Sequence, residues 1–294
     1  IDPADHHIEF ANVLNLKDTI NILDNEFVYN GGGVAIGDLN NDQLPDVFFT
    51  GNQADNKLYI NRGNLEFLDA TLLASIVKQS DQWSSGVTML DINRDGLLDI
   101  YVCNTMSPQP GKRRNALWIN QGIRAEGIPE FKDMAAEYGL DDDGHDSAVS
   151  FLDYDLDGDL DVFIAINFID IQYPNQFFTR STDGSAATRD KLLRNDWNET
   201  LKHPVFTDVS VKSGIVYDGY SHSVLVNDFN SDGWLDIYVC NDYVSNDILY
   251  MNNRDGTFTN RIGDSFKHFS YSAMGSDVAD VNNDGREDFF VTEM

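Results

Sequence analysis

The stretch that decides the fold is Asp153-Tyr154-Asp155-Leu156-Asp157-Gly158-Asp159-Leu160-Asp161, because the chain repeats it. Four further copies begin at Asp38, Asp91, Asp228 and Asp280. The shared pattern is D-x-(D/N)-x-D-G-x-x-D, and the first copy carries Gln43 where the others carry glycine. We call these five segments acidic loops 1 to 5 in chain order, and we number the positions within each loop from 1 to 9.

The spacing of the polar side chains predicts a Ca²⁺ site in each acidic loop. Oxygen donors at positions 1, 3, 5 and 9, with a backbone carbonyl near position 7, form a set of hard ligands that suits Ca²⁺ better than Mg²⁺. Up to five ions are expected. The predicted side-chain ligands are Asp38, Asn40, Asp42, Asp46, Asp91, Asn93, Asp95, Asp99, Asp153, Asp155, Asp157, Asp161, Asp228, Asn230, Asp232, Asp236, Asp280, Asn282, Asp284 and Asp288.

The individual loops are expected to differ in affinity. Glycine at position 6 permits the positive φ that reverses the chain, so Gln43 predicts that loop 1 is the weakest site. Loop 3 has Asp at all four ligand positions and is predicted to be the tightest. The alternative is a set of ordinary turns, which Asp, Asn and Gly also build, but five copies in register favour a metal.

The segments around the loops predict β-strands. An apolar run such as Ile100-Tyr101-Val102 follows each loop at once, which excludes the helix that closes an EF-hand. The loops recur at intervals of 53, 62, 75 and 52 residues, which is typical of propeller blades. Each unit reads as inner strand, acidic loop, second strand, third strand and outer strand. The outer strands are marked by Phe67, Phe131, Phe206 and Phe258.

We therefore predict an all-β protein, a β-propeller of four-stranded blades with the calcium loops between the first and second strands. Residues 1–294 are expected to form one propeller domain. The fifth unit stops after its second strand, and residues 8–11 are predicted to be a lone outer strand. Two interpretations stay open: a five-bladed ring that lacks one strand, or the first part of a larger propeller. The second is favoured, because an unfinished blade leaves an open edge.

Composition narrows the classes of partner. The chain carries 49 acidic and 20 basic residues and a net charge of −29, which disfavours nucleic acid and anionic membrane surfaces. No apolar run is long enough to span a bilayer. Cys103 and Cys240 occupy the same place in two non-adjacent repeats, so we expect buried free thiols and no disulfide.

The loops and their flanking strands resemble the FG-GAP (VCBS) repeat, the propeller repeat of integrin α-subunits and many bacterial surface proteins. Residues 30–42 and 277–285 resemble the ASPIC/UnbV (cartilage acidic protein-like) group of large bacterial surface proteins. The resemblance implies a seven-bladed propeller with Ca²⁺ between the first and second strands of a blade. It also implies an extracellular setting and a binding or scaffolding role.

The calcium affinity expected of the acidic loops also indicates an extracellular location. Sites with a Kd of ~10⁻⁴ M, typical of extracellular modules, would be nearly empty where Ca²⁺ is kept low. We therefore predict a secreted or cell-surface protein, which in a bacterium includes association with the outer membrane.

The face opposite the acidic loops is the predicted binding surface for a protein or a glycan. Trp83, His145 and Tyr220 stand eight residues before loops 2, 3 and 4, at the mouths of inner strands. Long connections at residues 106–114 and 167–189 join the same face, and long loops on a rigid scaffold often carry recognition. Packing of these aromatic residues between blades is an equally weighted alternative.

The predicted function is a calcium-stabilised extracellular binding or scaffold module without catalytic activity, with a role in adhesion. The alternatives are a lyase or hydrolase that acts on polysaccharide, and a lectin. The sequence carries no nucleophile elbow, no HExxH and no P-loop, and its many acids hide any carboxylate pair for glycoside chemistry.

Overall fold

The computed structural model describes residues 6–16, 20–23, 25–167, 180–242 and 245–294. Within these ranges the chain forms four four-stranded sheets and one two-stranded sheet. Sheet 1 contains β1 (Val34–Gly37), β2 (Asp46–Phe49), β3 (Lys57–Asn61) and β4 (Phe67–Asp69). Sheet 2 contains β5 (Trp83–Leu90), β6 (Asp99–Thr105), β7 (Ala116–Ile123) and β8 (Pro129–Asp133).

The remaining sheets repeat this order. Sheet 3 contains β9 (Asp146–Leu152), β10 (Asp161–Ile166), β11 (Lys191–Asn198) and β12 (His203–Asp208). Sheet 4 contains β13 (Ser221–Asn227), β14 (Asp236–Asn241), β15 (Ile248–Asn252) and β16 (Phe258–Asn260). Sheet 5 contains β17 (Ala273–Ala279) and β18 (Asp288–Glu293).

Helices are few and short in the described ranges. The α-helices are α1 (Ala135–Tyr138) and α2 (Ile262–Ser265), and 3₁₀ turns cover Glu26–Tyr29, Pro110–Lys112 and Ala125–Gly127. No helix there has the length and apolar character that crossing a membrane requires.

Neighbouring strands follow one another in the chain, so each four-stranded sheet is a meander with the strand order of a propeller blade. Each acidic loop joins the first strand of its sheet to the second, and its position 9 opens the second strand. The antiparallel register places position 9 opposite the last residue of the first strand, as in Gly37↔Asp46 and Leu90↔Asp99. The predicted all-β propeller class, with the loops between first and second strands, is confirmed.

The described chain divides into two compact units. Unit 1 comprises Ile1–Asp146 and Trp197–Val205, and unit 2 comprises Ser147–Asp196 and Phe206–Met294. In unit 1 the core includes Phe48, Ile100 and Trp118. In unit 2 one core cluster is built around Phe163, Ile237 and Tyr250, and a second around Tyr238 and Leu249.

Second strands supply much of both cores, because they lie between two partner strands. Every residue of β10 and β14 is buried, which explains why their sequences are continuous apolar runs instead of alternating ones. Burial of one such side chain contributes about 1.5–3 kcal/mol. Cys103 and Cys240 lie in β6 and β14 and are free and buried. Burial raises the pKa of the Cys240 thiol to about 11, so it stays protonated and unreactive at neutral pH.

The predicted outer strand at residues 8–11 is wrong, since the described structure has no strand there. The Glu9 N–H donates to the Tyr59 hydroxyl at 3.2 Å, and the Phe10 ring stacks on Phe49 with centroids 4.9 Å apart. Asn12 Nδ2 donates to Asn52 Oδ1 at 2.7 Å. Side chains of sheet 1 and of the connection between β2 and β3 thus anchor this segment, which does not pair as a strand with sheet 1.

Candidate metal centres

The five acidic loops share one backbone conformation. Position 6 has a positive φ in every loop, including 71° at Gln43 and 93° at Gly158. Position 4 also has a positive φ in every loop, and it is never glycine. Its φ values are 58° at Asn41, 61° at Arg94, 57° at Leu156, 57° at Ser231 and 57° at Asn283. Such residues cost roughly 1–2 kcal/mol each, so the hydrogen bonds within each loop must hold the backbone in place.

Carboxylates supply those hydrogen bonds in the same way in each copy. The carboxylate at position 1 accepts from the N–H of position 6 at 2.7–3.0 Å in all five loops. The carboxylate at position 5 accepts from the N–H of position 7 at 2.9–3.1 Å. The side chains therefore converge on the inside of the turn, where their remaining oxygen lone pairs can bind a cation.

Position 9 connects each loop to the sheet. Its Oδ2 accepts from the N–H of position 2 at 2.9–3.3 Å. In the four complete sheets its Oδ1 also accepts from the third strand, at 2.8–2.9 Å, from Asn61, Asn120, Asn195 and Asn252. Burial raises the pKa of Asp46 to about 6, that of Asp99 to about 7 and that of Asp161 to about 8.

Loop 3 has the arrangement that best fits a metal ion. One carboxylate oxygen from each of Asp153, Asp155 and Asp161 lies within 4.8 Å of the others. Asp153 Oδ1 and Asp155 Oδ1 are buried and have no hydrogen-bond partner among the described residues. Burial, followed by the neighbouring Asp157 carboxylate, raises the pKa of Asp155. Buried carboxylate oxygens without partners are costly, and a divalent cation with oxygen preference would satisfy them.

Loops 1, 2, 4 and 5 carry Asn at position 3, which lowers their charge. In loops 1, 2 and 5 the Asn Nδ2 donates to the carboxylate at position 5, at 3.0, 2.9 and 3.1 Å respectively. The amide thus relieves part of the repulsion that loop 3 leaves unrelieved. The ranking of loop 3 as the tightest site and loop 1 as the weakest stays a prediction.

Loop 4 has a cation of its own, which the sequence pattern did not indicate. Arg254 Nε and Nη2 donate to Asp232 Oδ2 at 3.1 and 2.8 Å. This hydrogen bonding lowers the pKa of Asp232. A metal in loop 4 would therefore share its position 5 ligand with an arginine.

Neighbouring repeats are connected through the loops. In unit 1, Asn120 Nδ2 of sheet 2 donates to the carbonyl of Leu39 in loop 1 at 2.9 Å. In unit 2, Asn252 Nδ2 of sheet 4 donates to the carbonyl of Tyr154 in loop 3 at 2.8 Å. We call these the inter-repeat amide bonds. In both, position 2 of one loop is held by the third strand of the next sheet.

A second recurring polar residue lies at the far end of each four-stranded sheet, immediately before the third strand. Its Oδ1 accepts from a backbone N–H at the end of the second strand or in the next residues, at 2.8–3.0 Å. The four residues are Asn56, Asn115, Asp190 and Asp247. Their recurrence is visible in the sequence, but the pattern does not show that these side chains accept hydrogen bonds from the end of the second strand.

Asp190 gives a pH-dependent prediction. Burial raises its pKa from 3.8 to about 7, although bonds from the Ile166 N–H and the Ser221 hydroxyl lower it. Because the folded-state pKa exceeds the unfolded one, the stability that Asp190 contributes is complete below about pH 4 and is lost as the pH rises through about 7. Asp190→Asn, which copies the amide of sheets 1 and 2, should gain on the order of 2–4 kcal/mol over the native chain between pH 4 and 8.

Urea unfolding of both proteins at several pH values in the same calcium concentration measures this gain. The amide can accept from Ile166 and donate to Ser221, so the fold should be kept. A difference in stability that does not change with pH would show that Asp190 is ionised throughout.

The residues predicted for the partner face have mixed surroundings. Trp83 begins β5 and is only 7% exposed, which agrees with the alternative that this residue packs inside the protein. His145 is half-buried before β9, and burial, then Arg113, lowers its pKa to about 4. Tyr220 is half-buried before β13, and its carbonyl accepts from the Asp242 N–H at 3.0 Å. Of the predicted connection at 167–189, residues 168–179 lie outside the described ranges.

Every described sheet carries an acidic loop between its first and second strands. This arrangement defines the class of protein as a β-propeller whose blades have an acidic first turn. Residues 38–102 and 228–291 match the FG-GAP-like repeat. These segments of the chain are thus FG-GAP-like repeats, as the sequence predicted.

Known proteins give further similarities. Cartilage acidic protein 1 of Mus musculus is 27% identical over 207 residues, which cover 70% of this chain and 28% of that protein. The Xenopus tropicalis protein of the same name is 29% identical over 212 residues, with 71% and 28% covered. The chain thus spans about 28% of the length of these relatives. A solved structure of an Agrocybe aegerita lectin that recognises terminal N-acetylglucosamine has 16% identity and a TM-score of 0.44, covering 86% of this chain and 59% of that one. This likeness is too distant to bear on function.

Proposed function

We propose that the chain is a calcium-stabilised binding or scaffold module of the extracellular space or cell surface, which recognises a protein or a glycan and performs no catalysis. The observation that carries the proposal is loop 3, where buried carboxylate oxygens of Asp153 and Asp155 have no partner among the described residues. The same loop backbone in four further copies extends the proposal to five ions.

The cellular setting follows from the chemistry of the loops. With a Kd of ~10⁻⁴ M and extracellular Ca²⁺ near ~1 mM, each site would be about nine-tenths occupied. The same sites would be nearly empty in a cytosol. A module that depends on these ions for stability is therefore suited to the extracellular space.

The recognition surface that we propose is the sheet end away from the acidic loops. Trp83 and His145 in unit 1 and Tyr220 in unit 2 each lie at or just before a first strand, on that side of their own sheet. In unit 1 the buried Trp83 would support such a surface from below and the half-buried His145 would contact the partner. In unit 2 the half-buried Tyr220 would make the corresponding contact on its own sheet. Rigid strands beneath such residues favour specific binding.

Calcium stoichiometry tests the proposal. Equilibrium dialysis of the metal-free protein against ⁴⁵Ca²⁺ should give up to five bound ions, and Asp155→Ala should remove one of them. Asp143→Ala, an exposed acid outside the loops that removes the same charge, should leave the number unchanged. Equal stoichiometry for Asp155→Ala and the native chain would contradict a metal in loop 3.

A further inference from the structure

Unit 2 contains a pocket of about 310 Å³ that the sequence pattern did not indicate. Sheets 3 and 4 and their connections line it, with Asp155 from loop 3 and Trp234 from loop 4 among the lining residues. Its size is at the lower end for small-molecule sites. The pocket lies on the acidic-loop side of these sheets, whereas the proposed partner face lies at their opposite ends.

The lining of the pocket concentrates basic side chains in a strongly acidic protein. Arg194, Lys212 and Arg254 line it, together with the acidic residues Asp155 and Asp255. Three of the 20 basic residues of the chain thus outnumber the two acids at this place, although acids outnumber bases 49 to 20 overall. Two of these cations are paired with Asp196 and Asp232, so the concentration of N–H donors, and not a net positive charge, favours an anionic ligand.

Hydrogen bonds to carboxylates orient the two arginine side chains of the pocket, and each arginine keeps further N–H donors that a ligand could use. Arg194 donates Nε and Nη2 to Asp196 at 3.0 and 3.1 Å, and Arg254 uses the same two atoms on Asp232. A guanidinium has five N–H groups, so each arginine keeps donors outside these bonds. Lys212 is exposed and forms no ion pair with any residue of the described ranges. Fixed donors of this kind suit a carboxylate.

An aromatic ring completes the lining. Trp234 is half-buried, and its backbone N–H donates to Asp232 Oδ1 at 2.9 Å, which fixes the residue beside Arg254. An indole face packs well against the apolar face of a pyranose ring, since it offers a large rigid surface with a polar edge. An acidic peptide would use the cations but would have little need of this ring.

We propose that this pocket binds an acidic saccharide, with Lys212 and the two arginines on its carboxylate and Trp234 against a sugar ring. The inference goes beyond the proposed function, because it assigns a ligand class to a second site on the acidic-loop side of the sheets. Asp155 and Trp234 also belong to loops 3 and 4, so we expect the saccharide to bind more tightly in calcium than in EDTA.

Isothermal titration with cellobiouronic acid, and with cellobiose as its uncharged counterpart, tests the inference. The native protein in 1 mM CaCl₂ should bind the acid at least about tenfold more tightly than the neutral disaccharide, as one charge-assisted contact implies. Lys212→Glu and Trp234→Ala should each weaken binding of the acid by roughly tenfold or more. Lys267→Glu is the matched control, because it reverses an exposed lysine of unit 2 outside the pocket, and it should change the affinity less than about twofold.

Several results would overturn the inference. These are no binding of cellobiouronic acid, equal binding by Lys212→Glu, and binding of a tetraglutamate peptide that matches the acid and ignores Trp234→Ala. The calcium stoichiometry of the same preparation separates the two proposals. If calcium binds and the disaccharide does not, only the saccharide inference fails; if calcium does not bind, the proposed function fails whatever the disaccharide does.

Discussion

Removal of calcium is expected to lower the free energy of unfolding by about 7 kcal/mol. The value follows from ~1.4 kcal/mol per site for a Kd of ~10⁻⁴ M at ~1 mM Ca²⁺, summed over five loops. It is comparable to the whole stability of an ordinary domain, which is about 5–15 kcal/mol. Each loop clusters carboxylates that repel one another without a cation, and loop 3 also buries two carboxylate oxygens that have no partner among the described residues.

Differential scanning calorimetry in 1 mM CaCl₂ and in EDTA measures the effect. The melting temperature should fall by roughly 15–30 °C in EDTA, since 1 kcal/mol corresponds to about 2–4 °C in a protein of this size. Mg²⁺ at the same ionic strength should restore little of the loss, because it releases its waters reluctantly. Equal melting temperatures in the two buffers would refute the stabilising role of calcium.

Asp99→Ala is expected to cost about 2–5 kcal/mol with or without calcium. Asp99 is fully buried and accepts from the N–H groups of Ile92 and Asn120 at 3.1 and 2.8 Å. Alanine would leave both buried donors without an acceptor, at about 1–3 kcal/mol each. Removal of a carboxyl group whose pKa burial raises to about 7 offsets part of that cost at neutral pH.

Asp95→Ala in the same loop is the matched control. Asp95 is exposed, and its carboxylate accepts from the Leu97 N–H at the surface of the loop. Its loss should cost about 1.4 kcal/mol in calcium and less than ~0.5 kcal/mol in EDTA. Urea unfolding of both variants in both buffers makes the comparison. Equal costs in EDTA would show that position 9 has no structural role beyond metal binding.

The sequence predicted the parts of the fold that repeat. The loop pattern located the turn between the first and second strands in all five units, and the apolar runs after it located the second strands, of which β10 and β14 are buried throughout. Phe67, Phe131, Phe206 and Phe258 each lie in the outer strand of a four-stranded sheet. These predictions succeed because strand period, turn chemistry and repeat spacing all indicate the same arrangement.

Features that depend on contacts between distant residues could not be predicted. Arg254 reaches Asp232 across 22 residues, and no local pattern specifies that pair. The three basic residues that line the pocket come from three separate segments of the chain. Residues 8–11 have the composition of a strand, but the Glu9 N–H donates to the Tyr59 hydroxyl and not to the backbone of a neighbouring strand. The sequence also left open whether Trp83 is exposed or packed, and tertiary packing buries it.

The inter-repeat amide bonds limit how such a chain can be shortened, extended or opened. Excision of sheet 2 would deprive the Leu39 carbonyl of its Asn120 donor, and excision of sheet 4 would do the same to Tyr154. The minimal unit for cutting or transplantation of sheet 1 or sheet 3 therefore includes the third strand of the sheet that follows it. Under tension or in denaturant, loss of sheet 2 would weaken the turn of sheet 1, and loss of sheet 4 would weaken the turn of sheet 3.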